Sequence, residues 1–412
     1  MKNTLILALV CLGFSLTAQA KELTWPDALS MAKQNNPAIK RSAETLKQAQ
    51  LSHKRAVANF LPDLSASASA TQSKTDPGDL SRRYSVGLSG SLSLFSGFSD
   101  IAELRVQEYN LKTAETNNLR TLADTVYDVR SSYINLLWAQ ETVSLLQDIL
   151  NIRSNNYSLV QLKYESGSED KGSMLRVEAD KAQAELDLLK AQRYLKSASL
   201  QLSRALGKEE FSVIQVTGSF AAANVSLDGE PSPLVEKTPE YIAAFYAYER
   251  SKAELLSARS GYYPSLSLSG STSKTGEEWV PDNAGWSVGL TLNYPFFQGG
   301  KNFINVISAR AGVAAEKETF RQSRLQLAAN IDSAYNTYLN SSDNVSVSEK
   351  YLAASNEQSK ITTTKYLNGL VSYIDWYSVE NDYISSMKSL LNAKRDAALG
   401  RASFDKVLGL GE

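Results

Sequence analysis

Two residue types that carry much active-site and metal chemistry are nearly missing, with one cysteine and one histidine in 412 residues. Cys11 lies within the apolar stretch Leu5 to Leu16, behind the positive Lys2. Ala18-Gln19-Ala20 follows as a small-x-small cleavage pattern, so residues 1–20 read as a secretory signal peptide and Lys21 as the mature N-terminus. Val10 stands where a lipoprotein signal needs a small residue. The expected mature chain therefore has no thiol, disulfide, cysteine metal site or lipid anchor. His53 sits on a polar helical segment and reads as solvated. Ser30-Met31-Ala32-Lys33 has the Ser-x-x-Lys spacing of some acyl enzymes but no partner motif, so it reads as a chance match. No phosphate loop or zinc spacing is present, and neither cofactor nor metal is expected. Lysine plus arginine (43) nearly balances aspartate plus glutamate (44), which leaves nothing to attract nucleic acid. Beyond the leader no run reaches the roughly twenty apolar residues of a membrane helix. A secreted chain of this kind is either soluble or crosses a membrane as β-strands. The composition argues against an enzyme.

Proline and glycine are missing in long, defined stretches. No proline occurs between Pro77 and Pro231 or after Pro295, and Gly97 and Gly167 bracket a stretch free of both residues. That stretch is rich in Leu, Ala, Glu, Lys, Arg and Gln, so it can run as one helix of about 100 Å at 1.5 Å per residue. Apolar residues inside it follow the 3-4 alternation of coiled coils: Leu122, Val126, Val129, Tyr133, Leu136, Val143 and Leu150. A second set repeats the pattern at Ala328, Ile331, Tyr335, Tyr338, Val345 and Leu352. An ordinary bundle seam and a helix packed in a long tube both satisfy this spacing.

The chain is written twice, at a constant offset of 202 residues. Pro37 matches Pro239, and Pro62 matches Pro264. Val86-Gly87-Leu88 matches Val288-Gly289-Leu290; Lys163, Tyr164 and Gly167 match Lys365, Tyr366 and Gly369; Leu206-Gly207 matches Leu408-Gly409. The expected organisation is a first repeat over 21–207, a linker over 208–238, a second repeat over 239–409 and a tail over 410–412. Each repeat opens with a helix (Pro37 to Phe60, Pro239 to Tyr262). A β-hairpin follows (about 62–96, about 264–298), then a long helix (about 98–166, about 300–368) and a return helix (about 173–206, about 377–408). The Phe211–Phe220 portion of the linker is expected to add a strand or two.

The hairpins alternate with period two. Tyr84, Val86, Leu88, Leu92 and Leu94 interleave with Ser85, Gly87, Ser89, Ser91 and Ser93, and Trp286, Val288, Leu290, Leu292, Tyr294 and Phe296 with Ser287, Gly289, Thr291, Asn293 and Pro295. Leu64, Ala66, Ala68, Ala70, Leu266 and Leu268 alternate with serines. Aromatic residues gather at the ends, among them Phe60, Tyr262, Tyr263 and Phe297, as in the girdles of a membrane barrel. Asp76-Pro77-Gly78-Asp79 and Gly276 to Asn283 read as exposed turns. A soluble β-layer also alternates, but small polar residues on the inner face favour a water-filled lumen. Four strands cannot close a barrel whose smallest members have about eight, and lipid does not tolerate open edges, so several chains must share one barrel. Three chains give about twelve strands and a channel.

This duplicated order of helix, hairpin, long helix and return helix resembles the TolC family of outer-membrane efflux and secretion ducts. The most specific segment is Tyr294-Pro295-Phe296-Phe297-Gln298-Gly299-Gly300-Lys301, similar to the family's strand-to-helix junction; Phe95-Ser96-Gly97-Phe98 is its partner in the first copy. The resemblance implies an α+β membrane protein, a homotrimer with a twelve-stranded barrel in outer-membrane lipid continuous with a periplasmic helical tunnel. It also implies a periplasmic adaptor and an inner-membrane pump or ABC exporter as partners. In the family the helix-turn-helix tips form the gate and meet the adaptor. Here these are Gly167-Ser168-Glu169-Asp170-Lys171 and Gly369-Leu370-Val371-Ser372, with Asp375 six residues after its glycine. In the first tip Ser173 stands at the place of that aspartate, and charged residues replace the leucine-valine pair. A trimeric coiled-coil spacer or adhesin without a channel is the competing reading; it has no need of duplicated amphipathic strand pairs.

Overall fold

A computed structural model describes residues 23–74, 78, 80–209, 213–220 and 232–411. The expected signal peptide (residues 1–20), most of the Asp76-Pro77-Gly78-Asp79 turn and the linker prolines Pro231 and Pro233 fall outside what it describes or carry no described side chain. Asn36 accepts a hydrogen bond from the Ala38 N–H at 2.8 Å, and Pro37 occupies the first turn, where no N–H is needed. Helix α2 (Pro37–Ala58) starts there, separated by this cap from a shorter α1 (Trp25–Asn35). Strands β1 (Asp63–Lys74) and β2 (Leu80–Phe95) follow, then α3 (Ser99–Glu165), α4 (Lys171–Ala205) and the four-residue α5 (Ser232–Val235). The second copy supplies α6 (Pro239–Ser260), β3 (Ser265–Gly276), β4 (Asn283–Asn293), α7 (Lys301–Leu367) and α8 (Tyr373–Val407). Both long helices have 67 residues and both return helices 35. The return helices begin earlier than the expected Ser173 and Tyr377, because their caps lie upstream.

Two departures have local causes. Strand β4 stops at Asn293, so Tyr294 and Phe296 lie beyond it. Pro295 follows and has no N–H for a ladder, whereas its counterpart Ser93 lets β2 reach Phe95. The Phe211–Phe220 segment forms no strand within its described part, residues 213–220. It makes one isolated parallel bridge, Leu23 to Val216. Side chains from the helices take its backbone groups instead. Ser199 Oγ accepts from the Ile214 N–H at 2.7 Å, the Gln140 amide bonds both the N–H and the C=O of Val216, and Tyr133 Oη donates to the carbonyls of Leu23 and Thr217. A sheet partner is unnecessary once these groups are satisfied.

The described residues fall into two units, one holding 23–32, 129–220 and 348–395, the other 33–128, 232–347 and 396–411. In the first, Val129, Tyr133 and Leu136 of the coiled-coil pattern are buried against α1, Leu202 and Val216. In the second, Ile331 and Tyr338 pack with Val235 and Phe404.

The four strands of the second unit form one antiparallel sheet in the order β1-β2-β3-β4, so β2 and β3 join the hairpins of the two copies. One register runs through it. Leu88 lies opposite both Ala66 and Thr272, Leu268 opposite Leu290, and Gly270 opposite Val288. Directly opposed residues share a face, so one face carries Leu64, Val86, Leu88, Leu268, Val288 and Leu290. The other carries only serine, threonine and glycine over the same span, with Ser65 bonded to Ser89 at 2.8 Å and Ser271 to Ser287 at 2.9 Å. The aliphatic face is bare: Leu64 is 78% exposed and Trp286 82%. A bulge between Ser93 and Phe95 turns Phe95 to the face of Leu266.

Candidate functional site: the helix-turn tips

Both turns between long and return helix close on a glycine in the left-handed region, Gly167 at φ 75° and Gly369 at φ 71°. Each completes the same reverse-bonded helix end. Ser168 N–H donates to Lys163 O at 2.8 Å and Leu370 N–H to Lys365 O at 2.9 Å. The return helices are then capped by one pair of residues used in opposite order. In the first tip Asp170 is the cap, its Oδ1 accepting from the N–H groups of Gly172 (2.6 Å) and Ser173 (3.0 Å), while Ser173 Oγ donates to Oδ2 at 2.9 Å. In the second tip Ser372 is the cap: its Oγ accepts from the Asp375 N–H at 3.2 Å and donates to Asp375 Oδ2 at 2.7 Å. These positions are 202 residues apart, so aspartate and serine have exchanged places within one capping box. The Ser173 N–H and hydroxyl, with the Gly172 N–H, hold the Asp170 carboxyl below its usual range. Its capping contribution is present above the ordinary carboxylate pKa and is lost as pH falls through the lowered one.

Behind the turns lies an aromatic cluster. Trp376 is fully buried and stacks on Tyr366 at 4.6 Å between centroids, and its Nε1–H donates to Thr363 Oγ1 at 3.0 Å. Val160 and Val177, from α3 and α4, complete the core; Met174, Val371, Tyr373 and Tyr377 pack around it. Lys163 Nζ sits 4.8 Å over the Tyr366 ring. The hydroxyls of Tyr366 and Tyr373 are buried with no hydrogen-bond partner among the described residues. Burial raises both pKa values, that of Tyr373 to about 12, with the Glu169 charge adding to each. The associated stability is complete below pH 10 and is lost as pH climbs towards 12. Of the predicted tip residues, Val371 and Glu169 are thus drawn into or beside the cluster. Lys171 stays exposed, and Leu370 (73%) and its neighbour Ile374 (75%) project into solvent.

The profile of the outer membrane efflux protein family matches residues 28–208 and again 235–410. The chain belongs to that family. Cation efflux system protein CusC of Escherichia coli O6:H1 is 23% identical over 393 residues, covering 93% of this chain and 85% of its own. Outer membrane protein OprJ of Pseudomonas aeruginosa is 23% identical over 93% of this chain and 83% of its own. Outer membrane protein TolC of Escherichia coli K12 is 21% identical over 98% and 85%. A crystal structure of CusC superposes with a TM-score of 0.84 at 20% identity, over 93% of this chain and 91% of that one. The open-state MtrE channel of Neisseria gonorrhoeae gives 0.83 at 20% identity, over 94% and 89%. The fold is the α+β duct fold of outer membrane efflux proteins, a family of outer-membrane channels and not of enzymes.

In this outer membrane efflux protein the strand-to-helix junctions, like the tips, turn on residues at positive φ. At the first, Gly97 has φ 63°, and a Cβ there would stand 2.8 Å from Ser260 O. Phe98 also takes positive φ (71°), held by edge contacts to Phe95 (5.1 Å) and Tyr263 (5.2 Å). The second junction uses glycine at both places, Gly299 (φ 60°) and Gly300 (φ 82°), with Pro295 half-buried and Phe297 79% exposed. Sequence reasoning missed a polar cross-link near the tips. Tyr377 Oη donates to Asp180 Oδ2 at 2.7 Å, Arg176 Nε donates to Tyr377 Oη at 2.9 Å, and Arg153 reaches Asn381 Oδ1 at 2.5 Å. Buried Glu380 accepts from Asn156 (3.3 Å), Thr363 (3.2 Å) and Ser359. The signal was available, since Asp180 and Glu178 pair with Asp382 and Glu380 in the repeat.

Proposed function

We propose that three copies of this chain share one barrel of about twelve strands and form an exit duct across the outer membrane. It works with a periplasmic adaptor and an inner-membrane pump or ABC exporter to export small molecules or protein. The observation that carries this reading is the four-stranded sheet with both edges, β1 and β4, unpaired and a bare aliphatic face. Lipid accepts that face but not the edges, so other copies must pair with them. The opposite face, small and polar, suits a wet lumen. In mild detergent the protein is expected as a trimer; a folded, membrane-inserted monomer would refute the reading. A spacer without a channel leaves the two-faced sheet unexplained.

The tips are the closing end of this duct in the same reading. Asp375 both completes the cap of α8 and, in a trimer, repeats three times around one axis, where its charge narrows the path. Asp375→Asn keeps a side chain of the same shape and removes the charge. The expected result is higher single-channel conductance in planar bilayers with an intact trimer and little change in melting temperature. Glu169→Ala with Asp170→Ala is expected to change conductance less, while the lost Asp170 cap lowers the melting temperature. A variant at Asp375 that melts earlier at unchanged conductance assigns the residue to capping alone.

A further inference from the structure

The aliphatic face of the sheet does not end in neutral residues. The register carries it past Trp286 to Lys274 and past Tyr84 to Arg82 and Lys74: Arg82 lies opposite Gln72, Lys74 opposite Leu80, and Lys274 opposite both Val86 and Ala284. All three cations therefore alternate onto the same face as Val86, Leu88 and Val288, at the end of the sheet remote from the helices. They are exposed, and none has a carboxylate within salt-bridge reach among the described residues. The acidic residues described nearby, Glu277, Glu278 and Asp282, belong to the β3–β4 loop beyond the strand ends. Arg83, in the same stretch, falls on the opposite, serine-lined face. From Leu64 to Lys74, β1 rises about 33 Å along the strand, which at a tilt of about 45° is about the height of an apolar barrel band. The edge contact of Tyr84 with Trp279, at 5.5 Å, sets interfacial aromatic rings between the register positions of Lys274 and Arg82.

We infer that Lys74, Arg82 and Lys274 form a basic belt that binds the phosphate groups of the outer leaflet's phosphorylated glycolipid while its acyl chains lie on the aliphatic face below. The belt rests on the barrel orientation proposed above, and it adds a ligand that orientation alone does not require. Cations at the end of a lipid-facing apolar band, without a counter-charge among the described residues, are complementary to phosphates held at headgroup depth. A lumen-lining or loop role places them on the other face, where Arg83 is.

The test is native mass spectrometry of the detergent-purified protein titrated with bis-phosphorylated lipid A, its monophosphorylated form and phosphatidylethanolamine. The wild type is expected to retain the bis-phosphorylated lipid best. Lys74→Gln with Arg82→Gln and Lys274→Gln is expected to lose on the order of a hundredfold in affinity. Arg83→Gln is expected to bind as the wild type does, and so is the variant that exchanges lysine and arginine at the three positions. If the triple variant does not assemble, the single variants are read, each expected to lose about fivefold. Unchanged binding in the triple variant, or in all three single variants, overturns the proposal. So does an equal loss in Arg83→Gln, or displacement of the lipid by millimolar inorganic phosphate, which identifies a free-phosphate site instead. Failure of the duct reading shows separately, as absence of channel conductance in the wild type.

Discussion

Val288→Arg with Leu290→Arg is expected to abolish assembly in the outer membrane, whereas Ser287→Arg with Thr291→Arg is expected to assemble and change conductance. The two pairs interleave on β4, so they share depth, strand and backbone and differ only in face. A charge near mid-bilayer on the lipid side costs roughly 2–4 kcal/mol per residue. Two such charges rival the total stability of many domains, about 5–15 kcal/mol. On the opposite face Ser287 bonds Ser271 and is exposed, so an arginine there meets water. The measurement is the amount of heat-modifiable trimer recovered from outer membranes. Equal recovery of both pairs would mean the faces are reversed or the sheet is not in lipid.

Trp376→Ala is the second large effect. The indole is fully buried, stacked on Tyr366 and packed against valines of α3 and α4, so its loss opens a cavity costing about 3–5 kcal/mol. That cluster, with the Tyr377 to Asp180 bond, ties α7 and α8 to α3 and α4 next to the turns. The expected outcome is local: hydrogen exchange accelerates over about 157–180 and 360–380 while the sheet stays protected, and conductance rises. Trp376→Phe is expected to fall between the two. Unchanged exchange at the tips, or acceleration spread evenly over the chain, sinks the assignment of this cluster as the tip's fastening.

Much of the fold was legible because its signals are periodic. Gly97 and Gly167 bound a helix of 67 residues, and the alternation in Tyr84 to Leu94 became a register matched across all four strands. The tips were legible as positions but not as chemistry. Ser173 read as a departure from Asp375, while the structure shows the carboxylate moved three residues upstream to Asp170. A cap depends on which of two residues holds the backbone N–H, and spacing alone does not say. The Phe211–Phe220 portion read as a strand or two for the converse reason, and residues 213–220 are its described part. Their hydrogen bonds go to Leu23, Tyr133, Gln140 and Ser199, partners remote in sequence that no local pattern announces. Helix α1 has only 11 residues, too short for periodicity to show.

The β2–β3 seam has a consequence for symmetry. It is the one place where a first-copy hairpin meets a second-copy hairpin, and a closed ring needs the mirror junction, second copy to first, between protomers. In the proposed trimer, moving the observed pairing forward by 202 residues on one strand and back by 202 on the other gives the expected junction: Leu88 with Thr272 becomes Leu290 with Ala70, and Val86 with Lys274 becomes Val288 with Gln72. In that proposed trimer the hydrogen-bonded seams within and between chains share one geometry, and the ring is a pseudo-sixfold of hairpins in which alternate seams lie within one chain. Such a ring has one kind of interface to satisfy, so a substitution that shifts the register at one seam shifts it three times over.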